Sequence, residues 1–175
     1  MNGDLSGLAG TWTLDPRKTT ISFRAKVMGV LPVTGTLDAL SGQVHVSPDS
    51  IVHGALVIDA ASLDTKNTRR DDHLRSEDFL DVVKDPTIVF TADGGRPSAA
   101  GRFEIDGVLG LHGQSHPLTL PTEIDRSGDA ATVSTEVVID RRRWGISWGT
   151  KLGVGRNSQV TIRAHFDREP SDLST

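Results

Sequence analysis

Apolar residues recur at every second position over most of this chain, a period that belongs to half-buried β-strands. The run Thr20 to Val27 shows it most cleanly, with Ile21, Phe23, Ala25 and Val27 on one face and Ser22, Arg24 and Lys26 on the other. The alternation returns in Ile88, Phe90 and Ala92, in Phe103, Ile105, Gly107, Leu109 and Leu111, and in Leu118 and Leu120. It closes with Val133, Val137 and Ile139, and with Val160, Ile162, Ala164 and Phe166. Turn signals stand between the runs: Ser47-Pro48-Asp49-Ser50, Asp93-Gly94-Gly95, His112-Gly113-Gln114-Ser115 and Ser127-Gly128-Asp129. About eight strands in such a meander form a sandwich or a closed barrel, and closure removes the exposed edges. The expected fold is all-β, an antiparallel barrel.

One interval, about residues 66–84, is too polar for a strand. Thr68 stands three residues before Asp71 as in a capping box, and Ser76 precedes Glu77 and Asp78 as a second N-cap. Two short helices closed by Pro86 are expected, with Leu74, Phe79, Val82 and Val83 as an apolar side laid across the barrel's end. No linker or repeat divides the 175 residues. A single domain is expected over residues 11–168, with residues 1–10 a flexible lead and 169–175 a flexible tail.

Composition removes several function classes. The chain has no cysteine, hence no thiol nucleophile or thiolate metal site. A net charge of −4 lacks the footprint of phosphate-backbone binding, so nucleic acid is not an expected partner. No run approaches the ~20 apolar residues of a membrane-spanning helix. Asp4 sits where an export leader carries Lys or Arg, and no apolar run follows it, so a cytoplasmic location is expected.

Alternation alone leaves open which face is inside. An apolar exterior requires aromatic girdles, but aromatics are only 5% of the chain and tyrosine is absent. Arg24, Lys26, Glu104, Asp106 and Arg163 therefore face water and the apolar stripe faces inward. A barrel of about eight strands is either filled by its side chains or holds one small ligand. Many inward positions are small or medium, among them Ala25, Val27, Ala92, Gly107, Val133 and Ala164, so both a packed core and an apolar lumen are compatible with the residues.

Catalytic motifs are sparse. His112 and His116 have metal-ligand spacing only on a helix, and Gly113 and Pro117 make their segment a turn, so no metal site is expected. His73, beside Asp71 and Asp72, reads as part of a helix-cap network, with a general base as the alternative. Gly153-Val154-Gly155 lacks the rest of a nucleotide-binding loop. Arg141-Arg142-Arg143 beside Trp144 and Trp148 is the one basic aromatic stretch. It reads as a solvated strand end, or as a patch making transient contact with a membrane surface.

Four ordered blocks resemble the YceI-like family of bacterial lipocalin-like proteins. They are Trp12-Thr13-Leu14-Asp15 with Ile21-Ser22-Phe23; Asn67, Arg70, Asp71, His73 and Leu74 followed by Asp78-Phe79, Pro86-Thr87-Ile88 and Phe90; Gly107, Leu109, Leu111, Gly113, His116-Pro117-Leu118 and Leu120; and Ile139-Asp140-Arg141 with Trp144-Gly145-Ile146. Gly110, Leu80 and Trp144 depart from the residues frequent there, Thr, Phe and Phe. The resemblance implies a barrel that binds, carries or sequesters a long isoprenoid such as a polyprenyl phosphate, a polyprenyl pyrophosphate or a quinone, or in some members a fatty-acid derivative. It implies no catalysis and no cofactor besides that lipid, and it is compatible with a homodimer. The alternatives are an enzyme acting on a lipid through His73 or His116 and a solid-cored interaction module. Alternation then selects the lumen wall, Phe23, Ala25, Val27, Leu56, Ile58, Phe90, Phe103, Ile105, Leu109, Leu118, Ile162 and Phe166, and a mouth of Phe79, Trp144 and Trp148. Arg70 and Asp71 are expected to pair and fix the helical segment.

Overall fold

A computed structural model describes residues 5–27, 30–99 and 101–171. The strands are β1 (Gly10–Leu14), β2 (Thr20–Val27), β3 (Leu31–Val46), β4 (Val52–Asp64), β5 (Thr87–Pro97), β6 (Arg102–Leu111), β7 (Gln114–Ser127), β8 (Ala130–Asp140) and β9 (Val154–Arg168). One helix, α1 (Thr68–Arg75), interrupts them. Every pairing is antiparallel, and the pairing of β3 with β4 closes the sheet. The nine strands fill eight positions around the ring. Both β1 and β2 lie between β3 and β9: β2 pairs with Leu31–Leu37 of β3 and β1 with Gln43–Val46. The intervening turn is held by Thr19 Oγ1 donating to the Asp15 carbonyl at 2.8 Å.

Alternation places the predicted faces as expected. Ile21 is buried, Phe23, Ala25 and Val27 are half-buried, and Ser22, Arg24 and Lys26 are exposed. The hairpin between β6 and β7 turns on His112 and Gly113, both at positive φ (53° and 70°), the geometry whose twist matches that of the paired strands. Asp93-Gly94-Gly95 behaves differently from its turn reading. It lies within β5 as a bulge, with the register slipping between Ala92 and Gly95. A glycine at φ 136° bends the strand without ending it, which a curved barrel wall requires.

The helical interval also departs from expectation. Asn67, not Thr68, is the N-cap, its side chain accepting from the Arg70 amide at 3.0 Å. Asp71 is buried and accepts from the Thr65 amide and, at 2.5 Å, from the Thr65 hydroxyl. Arg70 donates to the same hydroxyl and to the Thr65 carbonyl, so Arg70 and Asp71 are linked through Thr65 and do not pair directly. No second helix forms. The Ser76 hydroxyl donates to the His73 carbonyl and ends α1, and Asp81 at φ 51° reverses the chain so that Phe79 and Leu80 enter the barrel. Val82 packs on the core, but Val83 points away from it.

The described residues nearest both ends take part in the fold. Residues 5–10, read as a flexible lead, hold a 3-10 turn (Ser6–Leu8) and the start of β1, and Leu5 is buried. Trp12 Nε1 donates to the Leu8 carbonyl at 2.7 Å, and Arg168 lies over the Trp12 ring. Glu169 is tied to Thr13 and Gln43. Residues 1–4 and 172–175, the rest of the expected lead and tail, lie outside the described residues.

The capping assignment has a direct check. Asn67→Ala is expected to cost about 1 kcal/mol and Asp71→Ala about 1–3 kcal/mol through the orphaned Thr65 donors, whereas Thr68→Ala stays near the parent in urea unfolding.

Candidate functional site

The barrel is filled unevenly along its axis. Around the end where β2, β4, β6 and β8 finish, inward residues such as Phe23, Ala25, Val27, Val137, Ile139 and Val160 are only half-buried, because they line open space. That space is a cavity of about 380 Å³. A void of this size is on the scale of ligand sites. Towards the opposite end lies a smaller cavity of about 130 Å³, floored by Leu5, Leu8 and Trp12. Leu56, Phe90, Leu120 and Ile162 line both, so these four side chains form a septum between an upper and a lower chamber. Thr122 and Thr135 reach the lower chamber, but their hydroxyls donate to the Phe103 and Pro121 carbonyls, leaving it apolar in character.

Two glycines set where the aromatic wall residues lie. The Phe23 ring rests over Gly35, where a Cβ would come within 2.4 Å of Cζ. The Phe90 ring rests likewise over Gly107, at 2.5 Å from the position of a Cβ. Each phenylalanine therefore leans across the neighbouring strand.

The structure brings most of the predicted site residues together. Phe23, Ala25, Val27, Leu56, Ile58, Phe90, Leu109, Leu118 and Ile162 line the upper chamber, with Phe79 and Trp148 among the residues at its mouth. Ile105 and Phe166 line the lower chamber. Phe103 and Trp144 border neither. Phe103 packs in the hydrophobic core. Trp144, expected at the mouth, is 1% exposed. The 3-10 turn Arg141–Trp144 carries it beneath the β6–β7 hairpin, where its Nε1 donates to the Leu109 carbonyl at 2.9 Å. There it serves as a wedge between elements.

The basic side chains of the lining gather at the mouth, where Lys26, Arg70, His73 and Arg141 border the upper chamber. His73 bonds through Nε2 to Asp78 at 2.8 Å, not to the neighbouring Asp71 or Asp72. Its ring meets Trp148 edge-on at 4.4 Å between centroids and Phe79 at 5.3 Å. Arg141 is buried without a carboxylate within ion-pair distance. Its guanidinium donates to the carbonyls of Ile146, Trp148, Val154 and Gly155 and lies 5.3 Å from the Phe79 ring. Burial pulls it below the ordinary arginine value. Beside it, hydrogen bonds from Arg142 hold the Asp140 carboxyl down at about 2. His112 and His116 do separate work, His112 on the Trp144 carbonyl and His116 on Gln114.

Reading by alternation missed Val33 and Leu37, although Leu31, Val33, Gly35 and Leu37 keep the same period. It also missed Arg141 as a lumen residue, although Val137, Ile139 and Arg141 keep the same period and Arg141 stands in the last of the four blocks.

The family profile of the YceI-like domain matches residues 12–166. The chain belongs to the YceI-like family. Among relatives of this YceI-like protein, a UPF0312 protein of Vibrio cholerae serotype O1 is 30% identical over 160 residues, covering 85% of this chain and 80% of the relative. Another from Yersinia enterocolitica is 30% identical over 131 residues, covering 71% and 66%. Of solved structures, Burkholderia cenocepacia BcnA superposes with a TM-score of 0.80 at 21% identity, covering 87% of this chain and 98% of BcnA. A polyisoprenoid binding domain from Saccharophagus degradans superposes at 0.73 with 14% identity, covering 90% and 98%. The fold shared with them is the closed antiparallel barrel.

Arg141→Lys keeps the charge but loses the planar fork that serves four carbonyls, and is expected to cost about 1–3 kcal/mol. The Asp140 carboxyl, depressed in the folded chain, contributes stability that is complete above the ordinary carboxyl range and is lost as pH falls towards 2. Asp140→Asn should therefore melt below the parent at neutral pH, with the gap closing in acid.

Proposed function

We propose that this YceI-like protein binds one long-chain isoprenoid lipid, a polyprenyl phosphate or pyrophosphate or an isoprenoid quinone, and carries or sequesters it. The observation that carries the reading is the polarity of the lumen: an apolar chamber of about 380 Å³ with its cationic side chains confined to the mouth. Such a chamber takes a ligand with a long apolar body and a polar head. Each buried CH₂ contributes about 0.8 kcal/mol, so the walls need no hydrogen bonds to hold a chain. Lys26, Arg70, His73 and Arg141 supply charge and donors for the head. The polyisoprenoid binding domain from Saccharophagus degradans, alike in fold, supports the ligand class. In this reading His73 helps frame the mouth through its contacts with Asp78, Phe79 and Trp148, and the function is binding rather than catalysis.

Native mass spectrometry of the protein incubated with polyprenyl phosphates and quinones tests this. A one-to-one adduct is expected, and Ala25→Trp, which fills the upper chamber, should abolish it without unfolding the barrel. Folded Ala25→Trp protein with undiminished uptake would overturn the assignment.

Chain length has its own check at the septum. Affinity should climb with each added isoprene unit until the tail meets Phe90. Phe90→Leu removes the ring, and the longest chain retained in a graded prenyl series should then increase.

A further inference from the structure

The mouth of the barrel differs from the rest of its surface in charge and in exposed apolar area together. Among the described residues, 26–27, 30–31, 64–87, 111–116 and 140–156 make up this end of the barrel. They hold eleven Lys and Arg against eight Asp and Glu, a net of +3, while the remainder of the chain holds eight against 15, a net of −7. An acidic protein thus presents a cationic end, and that end is where the lumen is bordered by its cations.

The excess is also free to act at a distance. Lys26, Arg69, Lys84, Arg143, Lys151 and Arg156 are exposed and form no ion pair among the described residues. Four of the eight acids are already engaged: Asp64 with Lys66, Asp72 with Arg75, Asp78 with His73 and Asp140 with Arg142. Asp71 is buried, leaving Glu77, Asp81 and Asp85 on the turn after α1.

Apolar side chains stand among these cations. Val83 is 95% exposed, and Val30, Leu31, Leu152 and Trp148 are exposed as well. Val27 pairs with Val154, which sets Val30, Leu31 and Leu152 on one side of the opening. Val83, between the helix and β5, stands on another, and Trp148 touches Phe79 of that same segment. Elsewhere the large exposed apolar residues are Leu40, Ile51, Val108 and Val138, on the outer wall or at the far end.

We propose that this end docks on the surface of an anionic phospholipid bilayer, with Val30, Leu31, Val83, Trp148 and Leu152 entering the headgroup region and the six free cations facing the lipid charges. Unpaired Lys and Arg close to an anionic surface favour it by roughly fivefold each, and exposed aliphatic and tryptophan side chains suit the interface. Docking mouth-down sets the lumen opening against the lipid, which keeps an apolar ligand out of water during transfer. The inference goes beyond the binding reading, since docking does not depend on which ligand fills the barrel.

Ligand-free protein sedimented with vesicles of phosphatidylglycerol and phosphatidylcholine in equal parts, against phosphatidylcholine alone, tests it. Binding is expected to the anionic vesicles only and to fall as salt rises. Lys84→Glu with Lys151→Glu should lower it at least about tenfold, and Val83→Ser with Leu152→Ser should weaken it. Val108→Ser with Val138→Ser, on the outer wall, should sediment like the parent. Absence of binding at low salt, equal binding to neutral vesicles, or equal loss in the wall variant would overturn the proposal. Capture by polyglutamate without vesicle binding would overturn it in favour of an acidic protein partner. Native mass spectrometry of the rim variants with prenyl lipid added directly separates this from carriage: uptake should persist where docking is lost.

Discussion

The ladder between β3 and β4 is the constraint on which the rest depends. Without it the sheet is a long open ribbon with two edges, and its apolar face has nothing to pack against. With it the same face encloses a volume, and the question becomes how fully side chains occupy that volume. The ladder is not regular: its register slips between Thr36 and Asp38 and between Ala39 and Ser41. These slips let long strands curve around the lumen, as the bulge at Gly94 does in β5.

Occupancy is graded from end to end. The lower part is closed by Leu5, Leu8 and Trp12, with Phe166 beside them around the smaller chamber. The upper part is walled by medium side chains and two phenylalanines that lean aside. A polypeptide that needed only stability would have filled that space, since each added buried methylene is favourable. The mouth is organised instead by a buried cation. Arg141 satisfies two carbonyls of the segment that returns the chain from β8 to β9 and two at the start of β9, and thereby holds Trp148 near His73 and Phe79.

The fold was largely legible because its signal is local. Period two in Thr20–Val27 or Val160–Phe166 needs no knowledge of the rest of the chain, and the inward residues it names line the chambers. What could not be read depends on distant partners. Asp93-Gly94-Gly95 is a turn by composition and a bulge because β6 continues past it. Thr68 has the spacing of a cap, yet Asp71 is taken by Thr65, which leaves the cap to Asn67. Trp144 and Trp148 are four residues apart in one aromatic stretch. The turn at Gly145 (φ 77°), together with the bond from Arg141 to the Trp148 carbonyl, sends the first under a hairpin and the second to the opening. The division of the lumen in two had no local signal, since it arises where side chains of four strands meet.

Gly35 and Gly107 carry a consequence for how such barrels diversify. The bore at Phe23 and Phe90 is set by an absence on the adjoining strand: a methyl group at Gly35 meets the Phe23 ring first, whereas one at Gly107 meets the Thr91 carbonyl as well as the Phe90 ring, so there the backbone must give too, and either change alters the space at that level. Lumen shape can then drift through positions that are not themselves among the residues lining the upper chamber beside those rings. Two homologues with the same wall residues can have different internal contours, so comparing lining residues alone will misjudge which of them accept the same guest.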